Sequence, residues 1–179
     1  RESVERSPHL EAFRDKEIEV LYLTDPVDEI LVNVLREFDG KKLQSVGKGA
    51  VDLDSDEDKS EAEAKRAEAE KAHASLFEAL QAALDDHVKE VRLSTRLTES
   101  PACLVGEEHD MSAHMAQLLK QAGQEVPVPK RILELNDSHP VLDKLQSLYD
   151  ADAEDTRLAD YAHLLLGQAL LAEGSPLPD

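Results

Sequence analysis

The spacing of apolar residues, together with capping residues at their edges, predicts six helices along the chain. Ser7 followed by Pro8 is typical of a helix start, and Thr24-Asp25-Pro26 indicates a second one. The longest helix, rich in Ala, Glu and Lys, is predicted over 60–86. The remaining three helices are predicted over 110–122, 140–149 and 155–173.

Short apolar runs between these helices predict strands. The runs cover 20–23, 42–46, 88–97, 101–105 and 131–135. The third and fourth are expected to pair with each other around a turn at 98–100. Strands interleaved with helices favour an α/β (α+β) fold, with short mixed sheets covered by helices.

Two helices carry apolar stripes that predict burial. The rear of the long helix presents a core stripe at Leu76, Phe77, Leu80, Leu84 and Val88. The last helix has an apolar stripe at Leu158, Tyr161, Ala162, Leu165 and Ala169. Its apolar surface is extended around most of the circumference by Leu164, Leu166, Leu170 and Leu171. Such a helix needs burial on several sides, either inside its own domain or against a second subunit.

Charge and composition narrow the class of protein. The 179 residues include 39 Asp and Glu against 20 Lys and Arg, a net charge of −19. This charge argues against binding to nucleic acid phosphates and against an anionic membrane surface. A hydrophobic fraction of 41% is enough for a core, and the single cysteine fits a reducing compartment, which we expect to be the cytoplasm. The composition favours a protein that works through protein contacts.

The strongest break in composition is an acidic stretch, which we interpret as a linker. Asp52, Asp54, Asp56 and Glu63 occupy positions 1, 3, 5 and 12 of a calcium-loop pattern. Glu57 stands at the sixth position, where that loop needs Gly for its sharp turn. We therefore expect no calcium site.

Other residues with metal-binding or catalytic side chains also lack the required pattern. His109 and His114 are five residues apart and fall on different helix faces, so no zinc site is expected. Cys103 lies in an apolar run and is interpreted as an inert core thiol. Asp137-Ser138-His139 is interpreted as a turn before a helix, and no catalytic residue is expected.

The helix predicted over 110–122 contains both methionines of the chain. Met111, Met115, Leu118 and Leu119 fall on one stripe. Methionine suits surfaces that accept varied partners, but the spacing alone favours an ordinary core-facing helix.

Several segments together are similar to the heat-shock protein 90 chaperone family, in its bacterial type. They are SPHLEAF (7–13), EVLYLTDPVDE (19–29), EFDGK (37–41), VRLSTRLTESPACLV (91–105), MSAHMAQLLKQAGQ (111–124) and ILELNDSHPV (132–141). The resemblance covers nearly the whole chain in the family's order.

The resemblance implies a domain organisation. Residues 1–50 would be the end of the family's middle domain, 51–60 the acidic linker, and 61–179 the C-terminal dimerisation domain, whose last helices form an intersubunit bundle. The family's ATP site and catalytic arginine would lie upstream, so ATP and Mg belong to the full-length protein and no hydrolysis is expected here. The family would continue past Asp179 into one more bundle helix, so dimerisation is expected to be weakened.

The resemblance also implies binding residues, and it reverses the core-facing interpretation of the methionine helix. Client proteins would contact Met111, Met115, Leu118 and Leu119, with further contacts from Glu29, Ile30 and Asn33. Ile30 stands where some bacterial members carry Trp. The dimer interface would include Leu158, Tyr161, Ala162, Leu165, Ala169 and Leu170.

The implied partners are a second copy of the chain and unfolded or partly folded clients, with no nucleic acid and no membrane. A competing hypothesis is an acidic, non-enzymatic scaffold that binds one fixed protein partner through its terminal helix. A third hypothesis, an enzyme using Cys103 and His109, requires a thiol of low pKa.

Overall fold

The computed structural model of the chain describes residues 5–25, 27–35, 37–51, 53, 59–108, 110, 111, 119, 123 and 129–178. A 3-10 turn, Pro8–Leu10, leads directly into helix α1, Glu11–Asp15. The side-chain oxygen of Ser7 accepts a hydrogen bond from the His9 amide at 3.4 Å. The helix start predicted at Ser7 is therefore confirmed.

A short helix and a small hairpin follow. Helix α2 spans Asp28–Val34, and strands β1, Glu37–Phe38, and β2, Lys41–Lys42, pair antiparallel. Asp39 and Gly40 form the turn with φ values of 50° and 72°, the left-handed pair that suits a tight hairpin. The strand predicted over 42–46 is wrong, since only its first residue belongs to β2.

The buried strand predicted over 20–23 is also wrong. Leu21 and Leu23 are 67% and 51% exposed, and the run has no regular structure. An apolar run becomes a strand only where another strand pairs with it, and no strand of the described part pairs with residues 20–23.

Three further helices and three strands lie close to the predicted positions, although the strand predicted over 88–97 ends at residue 93, and most of the helix predicted over 110–122 lies outside the described residues. Helices α3, α4 and α5 span Lys59–Ala83, Pro140–Ala151 and Arg157–Ala172. Strands β3, β4 and β5 span Val88–Leu93, Ala102–Val105 and Arg131–Leu135. The α/β class with a short mixed sheet is confirmed, while the intersubunit helical bundle stays a prediction.

The order of these strands differs from the expected hairpin. β5 lies between the other two, parallel to β3 and antiparallel to β4. The predicted pairing of 88–97 with 101–105 is therefore wrong. Ile132 to Leu135 are all buried, and a strand buried on both faces favours the centre of a sheet, where both of its edges are paired.

The first face of the sheet forms the main core. Leu133 and Leu135 on β5 pack there with Leu76, Phe77 and Leu80 of α3 and with buried residues of α5. Leu84 and Val88, also predicted for the helix stripe, are buried in the same core but lie after the end of α3, and Val88 begins β3. Helix α4 contributes Leu142 and Leu145.

No helix of the described part is long and apolar enough to span a membrane.

The second face of the sheet carries the alternate side chains of the same strands. Ile132 and Glu134 of β5 lie opposite Val105 and Cys103 of β4. Leu97 completes a small apolar cluster with Cys103, Val105 and Ile132. The N-terminal part of the chain is held to this second face.

Candidate functional site

An exposed apolar segment, defined as residues 18–43, is the largest departure from ordinary burial. Eleven of the sixteen exposed large hydrophobic residues in the described part belong to it. They are Ile18, Leu21, Tyr22, Leu23, Val27, Ile30, Leu31, Val32, Val34, Phe38 and Leu43. Exposed apolar surface on this scale is typical of a surface that packs against another protein or against another part of a longer chain.

The segment contains three of the predicted client-binding residues. Ile30 lies on α2 and is 60% exposed. Glu29 and Asn33 belong to the same helix, but their side chains lie outside the described part. The exposed Leu31 and Val34 lie on the same short helix, and sequence reasoning did not assign them to the site.

The predicted methionine helix is described only at its edges. Met111 is 39% exposed. Leu119 has a helical backbone, and its side chain is half-buried. Met115 and Leu118 lie outside the described residues. Asp110 accepts a hydrogen bond from the Glu107 amide at 2.8 Å.

The terminal helix α5 turns most of the predicted dimer residues inwards. Five of the six belong to the core of this same chain: Leu158, Ala162, Leu165, Ala169 and Leu170. Only Tyr161 is exposed, at 42%. Of the two possibilities that the helix pattern left open, burial inside the chain accounts for these five side chains.

The outer face of α5 nevertheless remains apolar. Tyr161, Leu164 and Leu171 project from one side of the helix, since 3.6 residues per turn place them within about 80° of one another. Leu164 and Leu171 are 64% and 63% exposed. We call these three residues the outer stripe of α5.

A buried charge network occupies the second face of the sheet. Arg96 is fully buried, and its Nε donates to Oε2 of Glu134 at 2.9 Å. Arg92 and Ser94 donate to the same carboxylate, at 2.9 Å and 3.0 Å. Sequence reasoning missed this network, although a lone Glu inside the apolar run Ile132–Leu135 signals a carboxylate that must be paired.

Cys103 lies beside that network and has no catalytic geometry. Its side chain is 2% exposed, and its Sγ lies 3.9 Å from Oε2 of Glu134. Burial, reinforced by the neighbouring carboxylate, raises the pKa of the thiol well above its ordinary value. A thiol held in the protonated form is a poor nucleophile, so the interpretation as an inert core residue is supported.

Metal-binding groups do not converge in the described part. No cluster of three or more His, Cys, Asp or Glu side chains there could hold an ion. Asp52, Asp54, Asp56, His109 and His114 lie outside it. The predicted turn at Asp137-Ser138-His139 is confirmed, because Nδ1 of His139 accepts from the Val141 amide and caps α4.

Similarity to known proteins identifies the family of this chain. The family model described as Hsp90 protein matches residues 1–179. The chain is 57% identical over 181 residues to the chaperone protein HtpG of Mycobacterium bovis (strain BCG / Pasteur 1173P2). It is 53% identical over 179 residues to HtpG of Mycolicibacterium vanbaalenii. It is 52% identical over 176 residues to HtpG of Frankia casuarinae.

These alignments cover 100%, 100% and 98% of this chain, but 28%, 28% and 27% of the respective relatives. The chain therefore spans a little over a quarter of the length of the curated relatives it matches. Because the family model matches every residue, from the segments around Leu10 to the terminal helix, the chain belongs to the Hsp90 protein family.

Proposed function

We propose that this chain supplies client binding and homodimerisation to a molecular chaperone. The observation that carries the proposal is the exposed apolar segment in a chain whose relatives are named chaperones. Unfolded proteins expose apolar side chains, and burying them against residues such as Ile30 and Val34 is favourable by about 25 cal/mol per Å². The net charge of −19 favours clients with basic residues and keeps the chaperone itself soluble.

The client surface comprises Ile30 with Glu29 and Asn33 on α2, and the methionine helix with Met111, Met115, Leu118 and Leu119. The flexible methionine side chains adapt to clients of different shape, as a rigid surface cannot. Met111 is already exposed at the edge of this helix, which is consistent with the proposal.

Homodimerisation uses the outer stripe of α5. Tyr161, Leu164 and Leu171 are apolar and exposed, whereas the other predicted interface residues are occupied by the chain's own core. Pairing of this stripe with its copy makes an isologous contact of the kind expected in a two-fold dimer.

The role of these 179 residues is non-catalytic. ATP and Mg act in other parts of the full-length protein, which is ATP-dependent and cytoplasmic. The proposed mechanism is clamping, in which the dimer joins two arms and ATP binding elsewhere closes them on the client.

The test is binding of a permanently unfolded, fluorescently labelled protein, measured by anisotropy. The parent chain is compared with the Met115→Lys, Leu118→Lys double variant, after circular dichroism shows both to be folded. Loss of binding in the variant supports a client site on the methionine helix, and equal binding removes that helix from the site. Binding to one folded partner, with no affinity for unfolded proteins, would favour the scaffold hypothesis.

A further inference from the structure

The exposed apolar segment belongs to a longer excursion, residues 14–45, whose described residues are nearly all exposed. The chain enters this excursion from α1 and leaves it at 46–49. Both ends are bonded to the same short stretch between β3 and β4, residues 94–100, which we call the anchor loop. One loop therefore holds the start and the return of the excursion.

Glu11 holds the start. Its carboxylate Oε2 accepts backbone N–H groups of the anchor loop from Thr98 at 2.9 Å, Glu99 at 2.9 Å and Ser100 at 3.0 Å. Three amides converging on one carboxylate form a strong, charge-assisted contact. The Ala12 amide adds a bond to the Arg96 carbonyl at 3.0 Å, so the backbone of α1 is fixed as well.

Arg96 holds the return. Its guanidinium donates to the backbone carbonyls of Val46 and Gly49 while its Nε bonds Glu134. The planar fork of Arg can satisfy these three acceptors together, which the single ammonium of Lys cannot do in the same geometry. The Gly49 amide also donates to the Gly106 carbonyl at 2.9 Å, next to β4.

We propose that the anchor loop is a positioning device: Glu11 and Arg96 fix both ends of residues 14–45 on the second face of the sheet. The anchor loop thereby helps to set the orientation of the exposed apolar segment relative to the sheet, together with the backbone bonds of Gly106 to Gly47 and Gly49. A buried ion pair such as Arg96–Glu134 contributes little to stability beyond what an apolar pair would give, but it fixes geometry. This inference does not depend on what binds the segment.

The experiment measures the distance between strand β2, in the excursion, and helix α4. Spin labels are attached to Lys42→Cys on β2 and Asp143→Cys on α4, both at exposed positions, while Cys103 is too buried to react. Arg96→Met and Glu11→Ala are each expected to broaden the distribution of distances between the labels. Each variant removes the side-chain bonds at one end of the excursion, so that end is held more loosely, by its remaining backbone bonds alone.

Leu142→Ala is the matched control, because it removes core contacts of α4 without touching the anchor loop. It is expected to keep the narrow distribution of the parent. A distribution that stays narrow in both anchor variants, while circular dichroism shows them to be folded, would overturn the proposal.

Hydrogen exchange in the unmodified protein gives a second test that does not require the variants to fold. The amides of Ala12 and Glu99, which bond Arg96 and Glu11 across the anchor loop, are expected to exchange at least about 100-fold more slowly than in an unstructured chain. Free exchange of either amide would show that the start of the excursion is not anchored, which would also overturn the proposal.

Discussion

Nε of Arg96 lies 2.9 Å from Oε2 of Glu134, and both side chains are buried. The carboxylate also bonds Arg92, whose side chain is 24% exposed and so remains partly hydrated. Two guanidinium groups and one carboxylate leave one positive charge, which the carbonyls of Val46 and Gly49 help to stabilise. The network therefore depends on each of its members.

The effects of removing Arg96 and Glu134 on stability are expected to be non-additive. Glu134→Leu leaves the buried Arg96 without its counter-charge, so it should lower the free energy of unfolding by about 3–5 kcal/mol. Arg96→Met should cost less, because Arg92 still pairs with the Glu134 carboxylate. The double variant should lose less than the sum of the two single variants, because neither charge is then unpaired. Urea denaturation of the four proteins measures this coupling.

The control for this cycle is Glu61→Gln, which breaks the exposed Glu61–Lys65 pair on α3. Exposed pairs contribute little, so the urea midpoint should not change. Strictly additive effects of Arg96→Met and Glu134→Leu would contradict the proposed network.

Stability is expected to fall in mild acid because of His9. Its Nδ1 is buried and has no hydrogen-bond partner in the described part. Burial, and then the nearby Arg96, lower the pKa of His9 below its ordinary value of 6.5; Arg131 acts in the same direction, while Glu134 and Glu173 oppose it. The unfolded chain therefore takes up the proton first, so this stability is complete above pH 6.5 and is lost as the pH falls through 6.5 towards the folded pKa.

The measurement is the urea midpoint of the parent chain and of His9→Gln between about pH 8 and about pH 5.5. The variant should lose less stability than the parent over this range. Glu11 does not interfere: burial opposes ionisation, but hydrogen bonds from Ser100, Glu99 and Thr98 outweigh it and lower the pKa of Glu11 below 4.5. Its contribution is lost only at still lower pH. Parallel pH profiles for the two proteins would count against a role for His9.

Cys103 is expected to resist alkylation in the folded protein. Its thiol is buried, and the same burial raises its pKa, so the reactive thiolate is scarce. Labelling with a maleimide should be slow in buffer and complete in denaturant, as followed by mass spectrometry. Fast labelling of the folded chain would revive the hypothesis of a reactive thiol.

Neighbouring leucines on α5 should behave in opposite ways. Leu165 is buried in the core, and Leu165→Ala should cost about 2–5 kcal/mol of unfolding free energy. Leu164 is exposed, so Leu164→Ala should change stability by less than about 0.5 kcal/mol. Thermal or urea unfolding of the two variants distinguishes the inner face of the helix from its outer face.

A change in the outer stripe is expected to weaken self-association of the chain. Leu164→Lys should weaken the dimer in sedimentation over a concentration series, because it places a charge in an apolar contact. Ser147→Lys, at an exposed position of α4, is the control and should leave association unchanged. Equal weakening by both variants would indicate a general charge effect and not a specific interface.

Local patterns predicted the elements well and their arrangement poorly. The spacing of Leu76 and Leu80 was sufficient to identify the core face of α3, because helical periodicity is a local property. The insertion of β5 between β3 and β4 is a long-range choice that no local pattern encodes. The expected hairpin followed sequence proximity and was therefore wrong.

In the candidate site, too, local patterns predicted some features, and the long-range contacts could not be predicted from them. Periodicity placed an apolar stripe on α5 but could not tell which side Leu165 and Leu164 would face, since both sides are apolar. Arg96 resembled an ordinary surface arginine in the sequence, and only the fold brings it to Glu134 and the carbonyl of Gly49. Contacts made across more than thirty residues require the folded chain.

The central claim is that the exposed apolar segment and the methionine helix bind unfolded proteins. The most direct measurement is methyl NMR of the labelled chain during titration with a permanently unfolded protein. The account predicts that signals of Ile18, Ile30 and Met111 shift or broaden, while those of the core residue Ile132 do not. Changes confined to Leu164 and Leu171 on α5, or no changes at all, would contradict it.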